Sequence, residues 1–124
     1  MIHSFEVYQN KTMVFYSDDH WLHPLFAFEK FLKQSDFNPA TLIVKDKIVG
    51  KAAAMVLVYL GIETIQAGTL SHLALDVLEQ WKVKYSYDLL VDRIDCKTEN
   101  LLLQQNDPRE SYRLIKERIK QHHQ

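Results

Sequence analysis

The segment from Ile48 to Leu60 limits the possible folds more than any other part of the chain, because it is apolar on nearly every side of a helix. It is longer than a typical buried strand and rich in alanine, which favours a helix, and Gly61 is a suitable C-terminal stop. A helix that is hydrophobic all round has to be covered by other elements. We therefore expect this helix to be buried in the core.

The chain before this helix has the pattern of a hairpin, a helix and a strand. Alternating apolar residues around a polar, Asn-containing turn predict a β-hairpin over about residues 3–17. Pro24 suits the first turn of a helix whose apolar residues recur at helical spacing. The run Thr41–Val44 is apolar without alternation, which predicts a central strand covered on both faces. Asp46 then follows as the expected N-cap of the buried helix.

The rest of the chain continues to alternate between strands and helices. The pattern predicts strands at Glu63–Ala67 and Val83–Tyr87, with a helix between them that Ser71 caps. Residues 88–107 are less regular, and Pro108 opens a last amphipathic helix. Right-handed crossovers between parallel neighbours then give an α/β fold. We predict a three-layer α/β/α sandwich, in which a mixed sheet begins with the N-terminal hairpin.

The composition excludes several kinds of site. One cysteine and three glycines in 124 residues leave no disulfide framework, no Cys-rich zinc site and no glycine-rich phosphate loop, so we expect neither a metal nor a cofactor. The 15 basic and 16 acidic residues nearly balance, which argues against a nucleic-acid partner on electrostatic grounds. We divide the chain into a sandwich domain over residues 1–107 and a basic amphipathic helix over residues 108–124.

The expected location is the cytoplasm, without a membrane. The first residues have neither the basic start nor the apolar run of a signal peptide. The longest apolar run, Ala52–Leu60, has nine residues, about half of what a membrane-spanning helix needs.

The most informative motif surrounds the start of the buried helix. Lys47 and Lys51 are four residues apart, beside Asp46 and Gly50. Cations are unfavourable at a helix N-terminus, where the peptide dipoles already leave partial positive charge, and a bound anion would reverse that effect. The alternative is that both lysines extend into water beside the cap. The motif is not a P-loop, because Ala52 stands where that loop needs Ser or Thr.

Three further residues are candidates for chemistry. Cys96 lies at the start of a possible short helix beside Lys97, where a thiolate would be favoured, although an isolated cysteine is more often a small buried hydrophobe. His20 and His23 lie three residues apart where the hairpin joins the first helix, a spacing that allows a shared metal. Asp18 and Asp19 could add oxygen ligands, or they could form an acidic turn that caps the helix. Cys96 and Asp46 are the candidates for catalytic residues, and whether the chain is an enzyme stays open.

Several segments together resemble a small family of bacterial and archaeal domains of unknown function with a cytidine-deaminase-like fold. The family pattern consists of Asp-Lys-x-x-Gly-[Lys/Arg]-Ala-Ala-Ala, matched by residues 46–54, and a later Cys-Pro-x-Glu, where this chain has Lys97 in place of proline. The resemblance covers about residues 3–103. It implies a deaminase-like sandwich that begins with a hairpin, in agreement with the element order.

The deaminase signature itself is missing. Zinc deaminases place His-x-Glu and Pro-Cys-x-x-Cys at the starts of two helices. Here the corresponding segments read His20-Trp21-Leu22-His23 and Asp46-Lys47-Ile48-Val49, so the resemblance implies the fold without zinc-activated water. The deaminase pocket would then be surrounded by Asp46, Lys47, Gly50, Lys51, His20 and His23.

Three hypotheses follow from the sequence. The first is a domain that binds a small anionic or nucleotide-like ligand at Asp46–Lys51. The second is a homodimeric interaction module that buries Leu101–Leu103 and the stripe Tyr112, Ile115 and Ile119 against a second copy. The third is a zinc enzyme that uses His20, His23 and Asp46.

Overall fold

A computed structural model describes residues 1–94 and 96–122, without the side chains of residues 96–98 and 122. The strands are β1 (Phe5–Gln9), β2 (Thr12–Ser17), β3 (Leu42–Val49), β4 (Thr64–Ser71) and β5 (Lys84–Val91). The helices are α1 (His23–Lys33), α2 (Lys51–Tyr59), α3 (His72–Gln80), α4 (Cys96–Leu101) and α5 (Pro108–His122). No helix of the described residues is long and apolar enough to cross a membrane.

The strands form one five-stranded mixed sheet in the order β2-β1-β3-β4-β5. Strand β1 is antiparallel to both β2 and β3, whereas β3, β4 and β5 are parallel to one another. Each parallel connection passes through a helix, as parallel neighbours require. The predicted α/β class, the mixed sheet and the N-terminal hairpin are confirmed.

Helix α2 is the centre of the core, and the prediction of a buried helix is confirmed. Every residue from Lys51 to Leu57 is buried, and α3 and α5 pack against the helix. Its start was predicted wrongly. Residues 45–49 continue β3, where Asp46 pairs with Phe5 and Ala67, so Asp46 does not cap the helix. Gly50 is the N-cap instead.

The third layer does not lie where the predicted α/β/α sandwich would place it, on the second face of the sheet. Helix α1 packs on one sheet face through Phe28, whose ring centroid lies 5.5 Å from that of Phe5 and 5.6 Å from that of Phe15. On the opposite face, Gln66 and Ser86 of the central and edge strands are exposed. The third layer is α5, which packs on α2 rather than on the open face of the sheet.

The apolar stripe of α5 is covered within the chain. Ile115 is fully buried, and the Tyr112 ring stacks on Tyr59 of α2 with centroids 4.3 Å apart. Ile115 is therefore unavailable to a second copy, and the Tyr112 ring already has a partner within the chain. The helix begins at Pro108 as predicted.

Strands β3 and β4 approach closely at Gly68. A Cβ added there would lie 2.6 Å from the carbonyl oxygen of Lys47. Strand β4 buries both Ala67 and Leu70, which are three residues apart, so the alternation of faces is interrupted between them. The missing side chain of Gly68 allows the two backbones to meet at this irregularity.

Replacing Gly68 with alanine should therefore destabilise the protein by about 2 kcal/mol, because backbone atoms have to move to admit the methyl group. Urea unfolding followed by circular dichroism measures the change. Gly50→Ala is the matched control, since a Cβ at Gly50 would meet its nearest neighbour at 3.5 Å, an ordinary contact. Equal stability of the two variants would contradict this account of the strand contact.

Candidate functional site

A pocket of about 380 Å³ opens where β3 extends past the start of β1. Strand β1 begins at Phe5, opposite Asp46, and the last contact beyond it is the Lys47 amide, which donates to the Ser4 carbonyl oxygen at 3.1 Å. Among the described strands, none pairs with the rest of β3 on that side. The pocket occupies the space between β3, the turn before α1 and the first turn of α2.

The lining combines apolar walls with a few polar groups. The polar or charged lining residues are Ser4, Asp19, His20, Asp46, Lys47 and Glu99, and the remaining ones are Trp21, Leu22, Pro24, Ile48, Gly50, Ala52, Ala53 and Ile94. Trp21 reaches the wall from a backbone position with φ of 62°, a conformation that residues other than glycine rarely adopt. Such a mixture of apolar surface and convergent polar groups is typical of a small-molecule site.

Asp46 contributes a partly buried carboxyl group to the pocket. The strand holds it partly buried, and in the described part of the chain its carboxylate accepts a single long hydrogen bond, 3.4 Å from the Ile48 amide. Burial raises the pKa of Asp46 to about 7, and the Ile48 hydrogen bond opposes this rise. Near neutral pH this side chain can therefore both donate and accept a hydrogen bond.

Glu99 forms the inner wall and connects three parts of the chain. It is fully buried, and Oε2 accepts hydrogen bonds from the Lys51 amide at 2.8 Å and the Ser71 hydroxyl at 2.6 Å. Its Oε1 accepts from the Ile94 amide at 2.9 Å. Glu99 belongs to the first turn of α4, but its carboxylate satisfies the first amide of α2.

Ser71 caps α3 as predicted. Its hydroxyl oxygen accepts a hydrogen bond from the Ala74 amide at 3.0 Å while the hydroxyl proton is donated to Glu99. One buried carboxylate therefore serves the start of α2 directly and the start of α3 through its cap.

Lys51 turns away from the pocket. Its ammonium donates to the Leu102 carbonyl oxygen at 2.6 Å, in a buried position. Burial lowers the pKa of Lys51, and the carboxylates of Glu99 and Asp76 oppose that shift. The two lysines of the motif thus separate, because Lys47 lies at the pocket whereas Lys51 fastens α2 to the segment after α4.

The other predicted site residues also divide into those that line the pocket and those that do not. His20 and Gly50 line the pocket together with Asp46 and Lys47. His23 lies in the first turn of α1, where its ring meets the edge of Trp21 at a centroid distance of 5.7 Å, and does not line the pocket. The side chain of Cys96 lies outside the described residues.

Comparison with known proteins gives a family. The profile of TM1506, Domain of unknown function (DUF1893), matches residues 3–119. The chain belongs to this family. The predicted membership of a family of unknown function is thus confirmed. A search among curated proteins found no match.

One solved DUF1893 structure is similar over most of this chain. It is the crystal structure of a DUF1893 family protein (TM1506) from Thermotoga maritima at 2.70 Å resolution. The two chains are 29% identical and superpose with a TM-score of 0.79, covering 93% of this chain and 80% of that one. This DUF1893 chain therefore shares its fold with a solved member.

Replacing Glu99 with glutamine tests its place in this DUF1893 chain. The amide keeps the shape but presents a donor to at least one of the groups that now donate to it, so we expect a loss of about 2 kcal/mol in the free energy of unfolding. Urea unfolding measures the loss. Glu63→Gln is the control, because Glu63 is an exposed glutamate. A Glu99→Gln variant as stable as this control would show that the buried hydrogen bonds contribute nothing.

The pH dependence of stability should reveal the raised pKa of Asp46. Its pKa of about 7 in the folded chain exceeds the ordinary value of 3.8, so the folded state binds the proton more tightly. The stability from this difference is complete below about pH 4 and is lost as pH rises to about 7. Asp46→Asn should therefore gain stability relative to the unaltered chain as pH rises through this range.

Thermal unfolding between pH 4 and pH 8 measures this gain. Asp36→Asn is the matched control, since Asp36 is exposed outside the pocket. A constant difference between Asp46→Asn and the unaltered chain at every pH would contradict the burial of this carboxyl.

Proposed function

We propose that this chain binds a small nucleotide-like ligand, a flat heterocycle carrying an anionic group, in the pocket between β3, α1 and α2. The observation that carries the proposal is the Asp46 side chain. It lines the pocket with one long hydrogen bond among the described residues. A buried polar group without good partners costs stability unless a ligand or water supplies them.

The chemistry of Asp46 favours the heterocycle. Its raised pKa, caused by burial, makes the neutral and charged forms both accessible near pH 7. A neutral carboxyl group pairs with a neighbouring donor and acceptor, such as the edge of a pyrimidine or purine, without leaving a buried charge unpaired. Trp21, Ile48 and the first alanines of α2 supply apolar walls for the flat ring.

The anionic group would lie near Lys47 and His20. Lys47 is exposed at the pocket, so its ammonium can reach a phosphate at the rim without a desolvation cost. The first amide of α2 already has a partner in Glu99. An anion at the rim therefore agrees better with these contacts than an anion at the very start of the helix, where it would meet the buried Glu99 carboxylate.

The proposal includes a deaminase-like fold without deaminase chemistry. Its support is the sequence resemblance together with the hairpin and the strand order of the sheet. The chain lacks the cysteine pair and the His-x-Glu that zinc deaminases use, so we propose binding rather than deamination. A reactive Cys96 is compatible with this proposal but is not required by it.

Calorimetric titration with cytidine, uridine, their 5′-monophosphates and inorganic phosphate tests the proposal. We expect a monophosphate to bind more tightly than its nucleoside. Lys47→Ala should weaken the monophosphate by about tenfold and leave the nucleoside unchanged, because only the phosphate contact is lost. Asp46→Ala should weaken both ligands, because it removes the donor and the acceptor that pair with the heterocycle.

Lys11→Ala and Asp36→Ala are the matched controls, since both residues are exposed and neither lines the pocket. Binding of inorganic phosphate as tight as that of the monophosphate would argue against recognition of the heterocycle. Absence of binding by all five compounds, or equal binding to the Asp46→Ala variant, would overturn the proposal.

A further inference from the structure

Strand β5 forms a free edge of the sheet. It is the last strand in the order and pairs only with β4 among the described elements. It is eight residues long and contains no proline or glycine. Long unprotected edges invite pairing with another strand, and proteins that remain monomeric usually block them.

The backbone of β5 presents alternate residues to this free edge. The Lys84 amide donates to the Glu63 carbonyl oxygen at 2.9 Å, so the polar backbone groups of Lys84 point toward β4. Since direction alternates along a strand, the amides and carbonyls of Tyr85 and Tyr87 point outward. They are the groups that a further strand would bond.

The side chains of β5 are complementary to those of a second β5 strand that runs antiparallel to it. An antiparallel copy centred on Ser86 would place Lys84 opposite Asp88 and Tyr85 opposite Tyr87, each pair occurring twice. Lys84, Ser86, Tyr87 and Asp88 are all exposed. Opposite charges and paired aromatic rings are the cross-strand combinations that stabilise antiparallel sheets.

We propose that two copies of this chain pair through β5 in antiparallel orientation, around a two-fold axis at Ser86, and so form one continuous ten-stranded sheet. The outward amides and carbonyls of Tyr85 and Tyr87 bond their counterparts on the second copy. The charge pairs fix the register, because a shift by two residues would remove Lys84 from Asp88. This surface replaces the α5 stripe, which α2 already covers.

The charge pairs allow a sharp test by sedimentation velocity across a wide micromolar range. Lys84→Glu and Asp88→Lys each place like charges opposite one another, twice per dimer, and should raise the dimer dissociation constant by about tenfold. The double variant Lys84→Glu with Asp88→Lys restores both pairs with reversed sign. It should dimerise like the unaltered chain.

Two further variants distinguish pairing along the strand edge from a general effect of surface charge. Tyr87→Pro removes an outward amide and leaves the bonds to β4, so it should abolish dimerisation, with circular dichroism checking that the variant is folded. Lys11→Glu, an equal charge change in the hairpin turn, should have no effect. A monomer at every concentration, or a dimer that the single reversals do not weaken or the double variant does not restore, would overturn the proposal.

Discussion

The buried carboxylate of Glu99 holds together the ends of three parallel strands. Strand β4 ends at Ser71, and Lys51 and Ile94 come shortly after β3 and β5. The Ser71 hydroxyl and the amides of Lys51 and Ile94 all donate to this one side chain. They can do so because parallel strands end at the same edge of the sheet. Burying a carboxylate is costly without hydrogen bonds, and here the backbone and a cap supply them. The inner wall of the pocket depends on this arrangement.

Helix α2 needs that carboxylate because its sequence supplies no cap of its own. Gly50 at the N-cap has no side chain that could accept a hydrogen bond from a backbone amide. The helix is buried over most of its length, so water cannot supply this acceptor instead. Glu99 provides the acceptor from 48 residues away. Lys51 completes the connection in the other direction by donating to the Leu102 carbonyl oxygen. The segment around α4 is thus a structural part of the α2 start.

Local signals in the sequence were enough for the elements whose determinants are local. The hairpin, the Ser71 cap, the all-apolar α2 and the start of α5 at Pro108 all agree with the structure. The length of β3 was not predictable in this way, because Asp46 has the side chain of an N-cap, and its pairing with Phe5 and Ala67 leaves no local signal. The role of Glu99 was equally hidden, since a contact across 48 residues leaves no periodic pattern. Asp46 and Lys47 were found at the pocket, whereas Lys51 was not.

The pocket lies beside β3, the middle strand of the sheet, whereas β5 is an outer strand. The two places are nevertheless connected. Ile94 follows β5, lines the pocket and donates its amide to Glu99. A second copy paired along β5 would hold the strand that leads directly into this contact. An edge strand that is bonded on both sides unfolds locally less often, and the residues that follow it become less mobile as well. Pairing through β5 would therefore stiffen the inner wall at Ile94 without touching Asp46 or Lys47, so an effect of dimerisation on ligand binding would pass through Ile94 and Glu99.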